Sequence, residues 1–205
     1  IRLSDFTVSV PEQPVSRLAA AVRKLEQEFD EGLARVLGAQ TDAPVSKETF
    51  RWADRSAQML EKRIDVLQWD QYTQSVLNPS LNRVVQGIEQ SVHGPLRAAW
   101  HLWLERYLDA TTVLILGIRA RCVKVSQRQS NQVTKRIAGH VPAAFHGLPL
   151  SQQSLSVLRG CEGVSSVLVG MRSTDYVTDC MEVLRTPKQS VDKESVKRMA
   201  GALTE

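Results

Sequence analysis

Cysteine is scarce in this sequence: Cys122, Cys161 and Cys180 are the three in 205 residues. An odd number at wide spacing makes neither a disulfide framework nor a metal-ligand pattern, and it favours a reducing, intracellular compartment. Long apolar runs are missing too. The longest, residues 111–118, stops at Arg119, far short of the roughly 20 residues that cross a bilayer. No two of the histidines, His93, His101, His140 and His146, stand paired at i, i+4 with a carboxylate beside them, which argues against a metal centre. Internal repeats and low-complexity tracts are absent, and strand-like patterning is nearly so.

What is present reads as globular and helical. Hydrophobic residues make up 42% and charged residues 23%, an ordinary globular balance. The net charge of +4 comes from Lys and Arg interleaved with acids, a pattern of solvated helix faces rather than a dedicated nucleic-acid footprint. The sequence opens on Ile1 rather than Met, which suggests a processed product or a fragment. A removed targeting segment, mitochondrial or plastid, is one reading of that start.

Residues 1–15 read as an extended arm. From Ser16, apolar residues recur at threes and fours through Leu18, Val22, Leu25, Phe29, Leu33 and Val36, with Glu26 and its charged neighbours mostly off that stripe, and Gly38 as the cap. Ser46 is the predicted N-cap of a second helix carrying Phe50, Ala53, Ala57, Leu60, Ile64 and Leu67. Asn78-Pro79 is expected to break the chain, and Ser80 to start a third helix that ends at His93-Gly94-Pro95. A fourth helix, about 96–137, is apolar in its first half (Trp100, Trp103, Tyr107, Leu114) and basic in its second. Four helices with short connections predict an antiparallel bundle over 16–138.

At Gly139 the character changes. Pro and Gly crowd 139–149, a short helix closes at Gly160, a helix over 174–185 stops before Pro187, and a charged tail, 188–205, leaves room for one more helix. Between them stands GVSSVLVGMRSTDYV, residues 163–177. Six apolar or small residues run into Gly170, a basic residue and a hydroxyl, then a helix. A strand apolar on both faces belongs inside a parallel sheet, yet the chain offers almost nothing to pair with it. Another chain or a missing N-terminal portion supplies the neighbours, or residues 1–10 pair with it, or the segment folds otherwise.

The segment PLSQQSLSVLRGCEGVSSVLVGMRSTDYVTDCMEVL resembles the C-terminal end of the aldo/keto reductase family: a seventh helix, an eighth barrel strand and an eighth helix. It covers under a fifth of the chain. The upstream part, with FRWADR at 50–55 and the Trp-rich helix, looks like the long helical region before this end in atypical members. For residues 139–187 the resemblance implies a helix–strand–helix unit like the end of a triosephosphate-isomerase-type barrel, and NADP as cofactor. It implies that Arg172 pairs the 2′-phosphate, with Ser173, the amide of Thr174 and Gly170 forming the turn around it. Cys180 stands where the family contacts adenine, and is a poor substitute.

The family transfers hydride to a carbonyl using a Tyr acid, a Lys, an Asp and a His from early strands. None of that order is found here: Tyr72 and Tyr107 sit in helical patterns and Tyr176 on the last family-like helix. Without a barrel, the plainer reading of Arg172-Ser173 is a capped helix start beside a solvated arginine. The rings of Trp100, Trp103 and Tyr107 form a candidate interface, with core packing the competing reading, and Arg121, Lys124 and Arg128 form a basic candidate surface. The resulting expectation is mainly helical: a non-catalytic interaction subunit, partnered by other protein chains, binding no cofactor alone and spanning no membrane. The alternative is half of an NADP-dependent oxidoreductase whose barrel lies on another polypeptide.

Overall fold

The first helix shows what one inserted residue does to a pattern. The computed structural model describes residues 13–40, 45, 49–62, 64–171 and 174–204. In it α1 (Val15–Glu28) passes through a π turn, Phe29–Leu33, into α2 (Ala34–Gln40). A π turn takes up one more residue than an α turn. The buried stripe therefore runs through Leu18, Val22, Leu25 and Phe29 to Leu37, while Val36 turns outward. The helix continues past Gly38, so that glycine does not cap it.

A second π turn overrides the expected proline break. α4 (Val66–Tyr72), the turn Thr73–Leu77 and α5 (Asn78–Glu89) follow one another without interruption, and Ser80 starts no new helix. Pro79 sits at the head of α5, directly after the widened turn, where the hydrogen bond its missing N–H would have made is already disrupted. The real break falls earlier, between α3 (Trp52–Glu61) and α4. Asp65 opens α4 with a capping box: its carboxylate accepts from Gln68 N at 2.7 Å, and Gln68 Oε1 accepts from Asp65 N at 3.0 Å. Ser46 and residues 1–10, given roles above, lie outside the described residues.

The fourth predicted helix is α6 (Gly94–Ile137). The chain divides within it into two units, Ile1–Ser126 and Gln127–Glu205. The first unit is built on aromatic rings. Phe50 lies 4.8 Å from Phe29, 4.9 Å from Trp103 and 5.0 Å from Tyr107, centroid to centroid. Trp103 and Tyr107 stack at 4.8 Å. Edge and offset pairs of this kind contribute roughly 0.5–1.5 kcal/mol each beyond their burial. The indoles are held at their polar ends: Trp103 Nε1 donates to Leu25 O at 3.0 Å, Trp69 Nε1 to Ile115 O at 3.3 Å and Trp100 Nε1 to Glu89 at 2.9 Å.

The second unit holds α7 (Leu150–Gly160), α8 (Thr174–Arg185) and α9 (Lys193–Thr204). Its core is small and mostly aliphatic: Ile137, Val141, Phe145, Val191 and Met199. The tail is part of it, since Val191 and Met199 are buried, and Asp192 caps α9 by accepting from Ser195 N at 2.8 Å. Gly160 makes a close approach possible. A Cβ there would stand 2.1 Å from Gln189 O, and in its absence Val191 N donates to Gly160 O at 3.0 Å.

The predicted strand is corrected by the structure. Among the described residues no strand forms, and the one β-bridge joins Cys161 to Val191. Residues 164–171 carry no regular secondary structure. A strand exists through its neighbours' hydrogen bonds, and the described residues supply none for this segment. The fold is mainly helical, and no described helix is long and apolar enough to cross a membrane.

Candidate functional site

Residues 164–171 are the segment that the rest of the described residues leave uncovered. Val164 N donates to Cys161 O at 3.3 Å. From Ser165 to Met171, no amide or carbonyl finds a backbone partner among the described residues. The side chains are as uncovered as the backbone: Leu168 is 98% exposed, and Val164, Val169 and Met171 are exposed too. On α8, Val177, Met181 and Leu184 add to this apolar surface. Scattered exposed apolar residues need no explanation, whereas a contiguous group of them marks a binding surface.

Beneath the segment lies a cleft of about 300 Å³ formed with α7 and α8. Val167, Val169 and Met171 line it from the segment, Met181 and Leu184 from α8. Its polar lining includes Cys180, Arg159 and Lys188. Arg159 ties the end of α8 to α7: Nη1 donates to Val183 O at 2.7 Å and Nη2 to Thr186 O, satisfying carbonyls that a helix C-terminus leaves free. Its Nε–H is buried with no acceptor.

The residues singled out from the sequence do not come together as one site. Arg172 and Ser173 lie outside the described residues. Gly170 is exposed, with open space where a Cβ would stand, and Thr174 begins α8, its carbonyl accepting from Thr178 Oγ1 at 3.0 Å. Trp100, Trp103 and Tyr107 are buried, at 0%, 5% and 0% exposure, so the rings offered as an interface are core. Burying them is worth more than any exposed arrangement, because each removes a large apolar area from water. Arg121, Lys124 and Arg128 are exposed on α6, within a stretch from Ala110 to Cys161 that contains no Asp or Glu.

Sequence reasoning missed Glu26. It is buried at 1% exposure among the aromatic rings. One carboxylate oxygen accepts from Trp52 N at 2.7 Å, Ala53 N at 3.2 Å and the Tyr107 hydroxyl at 3.1 Å. Those two amides are the orphan donors of the α3 N-terminus, where Arg51 provides no side-chain cap. Glu26 thus caps a helix distant in sequence, and the positive end of that helix favours its charge. Burial, the largest influence, and the charge of Asp54 raise its pKa, against the lowering effect of the three hydrogen bonds. The signal was legible: Ala19, Val22, Glu26 and Phe29 share one helix face.

The tyrosines test whether these residues fit NADP-dependent hydride transfer, which needs a phenol acidified by a lysine. Tyr107 has its pKa pushed well up, by burial first and the Glu26 charge second. Burial likewise raises Tyr72, which lies against Trp69 at 5.8 Å. Both shifts run opposite to the requirement, and Tyr176 sits exposed on α8. None of the three tyrosines fits the role of that acid. The described residues also bring together no group of three or more His, Cys, Asp or Glu that would hold a metal ion. Comparison of the chain with protein-family models, with curated proteins and with solved structures finds no match.

Proposed function

We propose that this chain is a non-catalytic interaction module, a helical subunit of a larger protein assembly, derived from the C-terminal part of an aldo/keto-reductase-like protein. The observation that carries the reading is the 164–171 segment: exposed apolar side chains beside a backbone that, from Ser165 to Met171, has no backbone hydrogen-bonding partner among the described residues. A partner polypeptide that supplies main-chain hydrogen bonds and covers Leu168 completes both at once. The sequence resemblance over 149–184 points to the same residues, because in that family this run is enclosed by neighbouring strands.

The test is the native mass of the tagged chain isolated from its own cells and measured by light scattering. The expected result is a mass well above the 22.9 kDa of one chain, with a second polypeptide in fixed ratio that Leu168→Asp releases. A 22.9 kDa monomer, or carbonyl-dependent oxidation of NADPH by the isolated chain, overturns the reading.

A further inference from the structure

The cleft between the 164–171 segment and helices α7 and α8 has a chemistry that the docking role does not use. Its walls are apolar, from Val167, Val169, Met171, Met181 and Leu184. Its charged lining consists of Arg159 and Lys188, with no carboxylate among the described lining residues. At about 300 Å³ it falls at the small end of ligand-binding cavities, which pair an apolar body with a few placed polar groups.

Arg159 makes the polarity specific. Two of its nitrogens are committed to Val183 O and Thr186 O, which fixes the guanidinium in place. The remaining Nε–H is buried and has no acceptor. The guanidinium charge is thereby held in the wall of the cleft, where it favours an anion. Lys188 is exposed near the end of α8, a second positive charge for the same head group.

We propose that this cleft binds an amphiphilic monoanion, with a medium-chain carboxylate as the simplest case: the chain lies against the methionine, valine and leucine side chains, and the carboxylate lies towards the positive charges of Arg159 and Lys188. A neutral alcohol of equal length gains the apolar contacts alone. A quaternary ammonium of equal length meets two like charges. This goes beyond the docking role, whose key residue Leu168 is almost wholly solvent-exposed and absent from the cleft lining.

Decanoate, decanol and decyltrimethylammonium are the probes, each titrated calorimetrically into the full chain. Decanoate is expected to bind one to one, at least about tenfold tighter than the ammonium, with decanol between them. Lys188→Gln, at an exposed position, is expected to weaken decanoate by about threefold to fivefold and leave decanol unchanged. Cys180 lines the cleft and Cys161 does not, so decanoate is expected to slow maleimide alkylation at Cys180 several-fold and leave Cys161 unchanged. Leu168→Asp is expected to leave decanoate binding intact while releasing the docking partner, so that failure of this proposal and failure of the docking reading are told apart. Equal affinity for the three probes, an unprotected Cys180, or a Lys188→Gln variant that binds decanoate as before overturns the proposal.

Discussion

The two units answer the same problem, covering apolar surface, in opposite ways. In the first, Phe29, Phe50, Trp100, Trp103 and Tyr107 meet one another, and a buried Glu26 ties α1, α3 and α6 together through Trp52, Ala53 and Tyr107. In the second, the core is a short aliphatic cluster, while Val164, Leu168, Val169, Met171, Val177 and Leu184 stay exposed. A unit that completes its own core needs no partner. One that leaves a backbone run unpaired and its side chains wet is stable as far as its small core allows, and has surface left for something else.

The sharpest way to break the first unit is to remove a ring. Phe50→Ala deletes contacts to four aromatic neighbours, Phe29, Trp100, Trp103 and Tyr107, and is expected to cost about 3–5 kcal/mol, read from urea unfolding, with the amides of α8 unaffected. In the second unit the weak point is a contact rather than a side chain. Gly160→Ala forces a Cβ onto the Gln189 carbonyl, which is backbone and yields little. A loss of about 1–3 kcal/mol is expected, with α9 losing hydrogen-exchange protection first.

Acidity separates two carboxylates of the first unit. The Glu26 carboxyl titrates above its ordinary value of 4.5 because burial disfavours the charge. The stability linked to its proton is complete below 4.5 and lost as the pH rises through the raised value. Glu26→Gln removes that decline, at a slope of at most about 1.4 kcal/mol per pH unit. Glu89 runs the other way. The hydrogen bond from His101, foremost, with those from Trp100 and Arg97, holds it below 4.5. Its contribution is present above 4.5 and lost on acidification, so Glu89→Gln is expected to flatten the acid limb of the unfolding curve. The smallest effect belongs to Leu168→Ser, expected within about 0.5 kcal/mol of wild type, because the isolated chain leaves this side chain in water.

The helices were legible wherever periodicity was strong and punctuation ordinary. α6, α7 and α8 fall within a residue or two of their predicted limits. The misses share a cause: the π turns at Phe29–Leu33 and Thr73–Leu77 shift the register by one residue, which put Leu37 rather than Val36 in the core and carried the helix through Pro79. Neither turn shows in the apolar periodicity, and each holds a fully buried side chain, Phe29 in the first and Leu77 in the second. The Asp65…Gln68 box and Asp192 before α9 were readable and were overlooked. Of the candidate site, the odd character of 163–171 was visible as an apolar run without a mate. The cleft beneath it was not, since it depends on how α7 and α8 place Arg159, Cys180 and Leu184.

Amide hydrogen exchange on the isolated full chain, read by peptide mass spectrometry across 165–171, tests the main claim most directly. The expected result is exchange near the unprotected rate in this segment while the apolar half of α6 remains protected, with protection of 165–171 appearing when the chain is measured within its native assembly. Strong protection of the same amides in the chain alone would contradict the account, because the backbone partners would then lie within these residues.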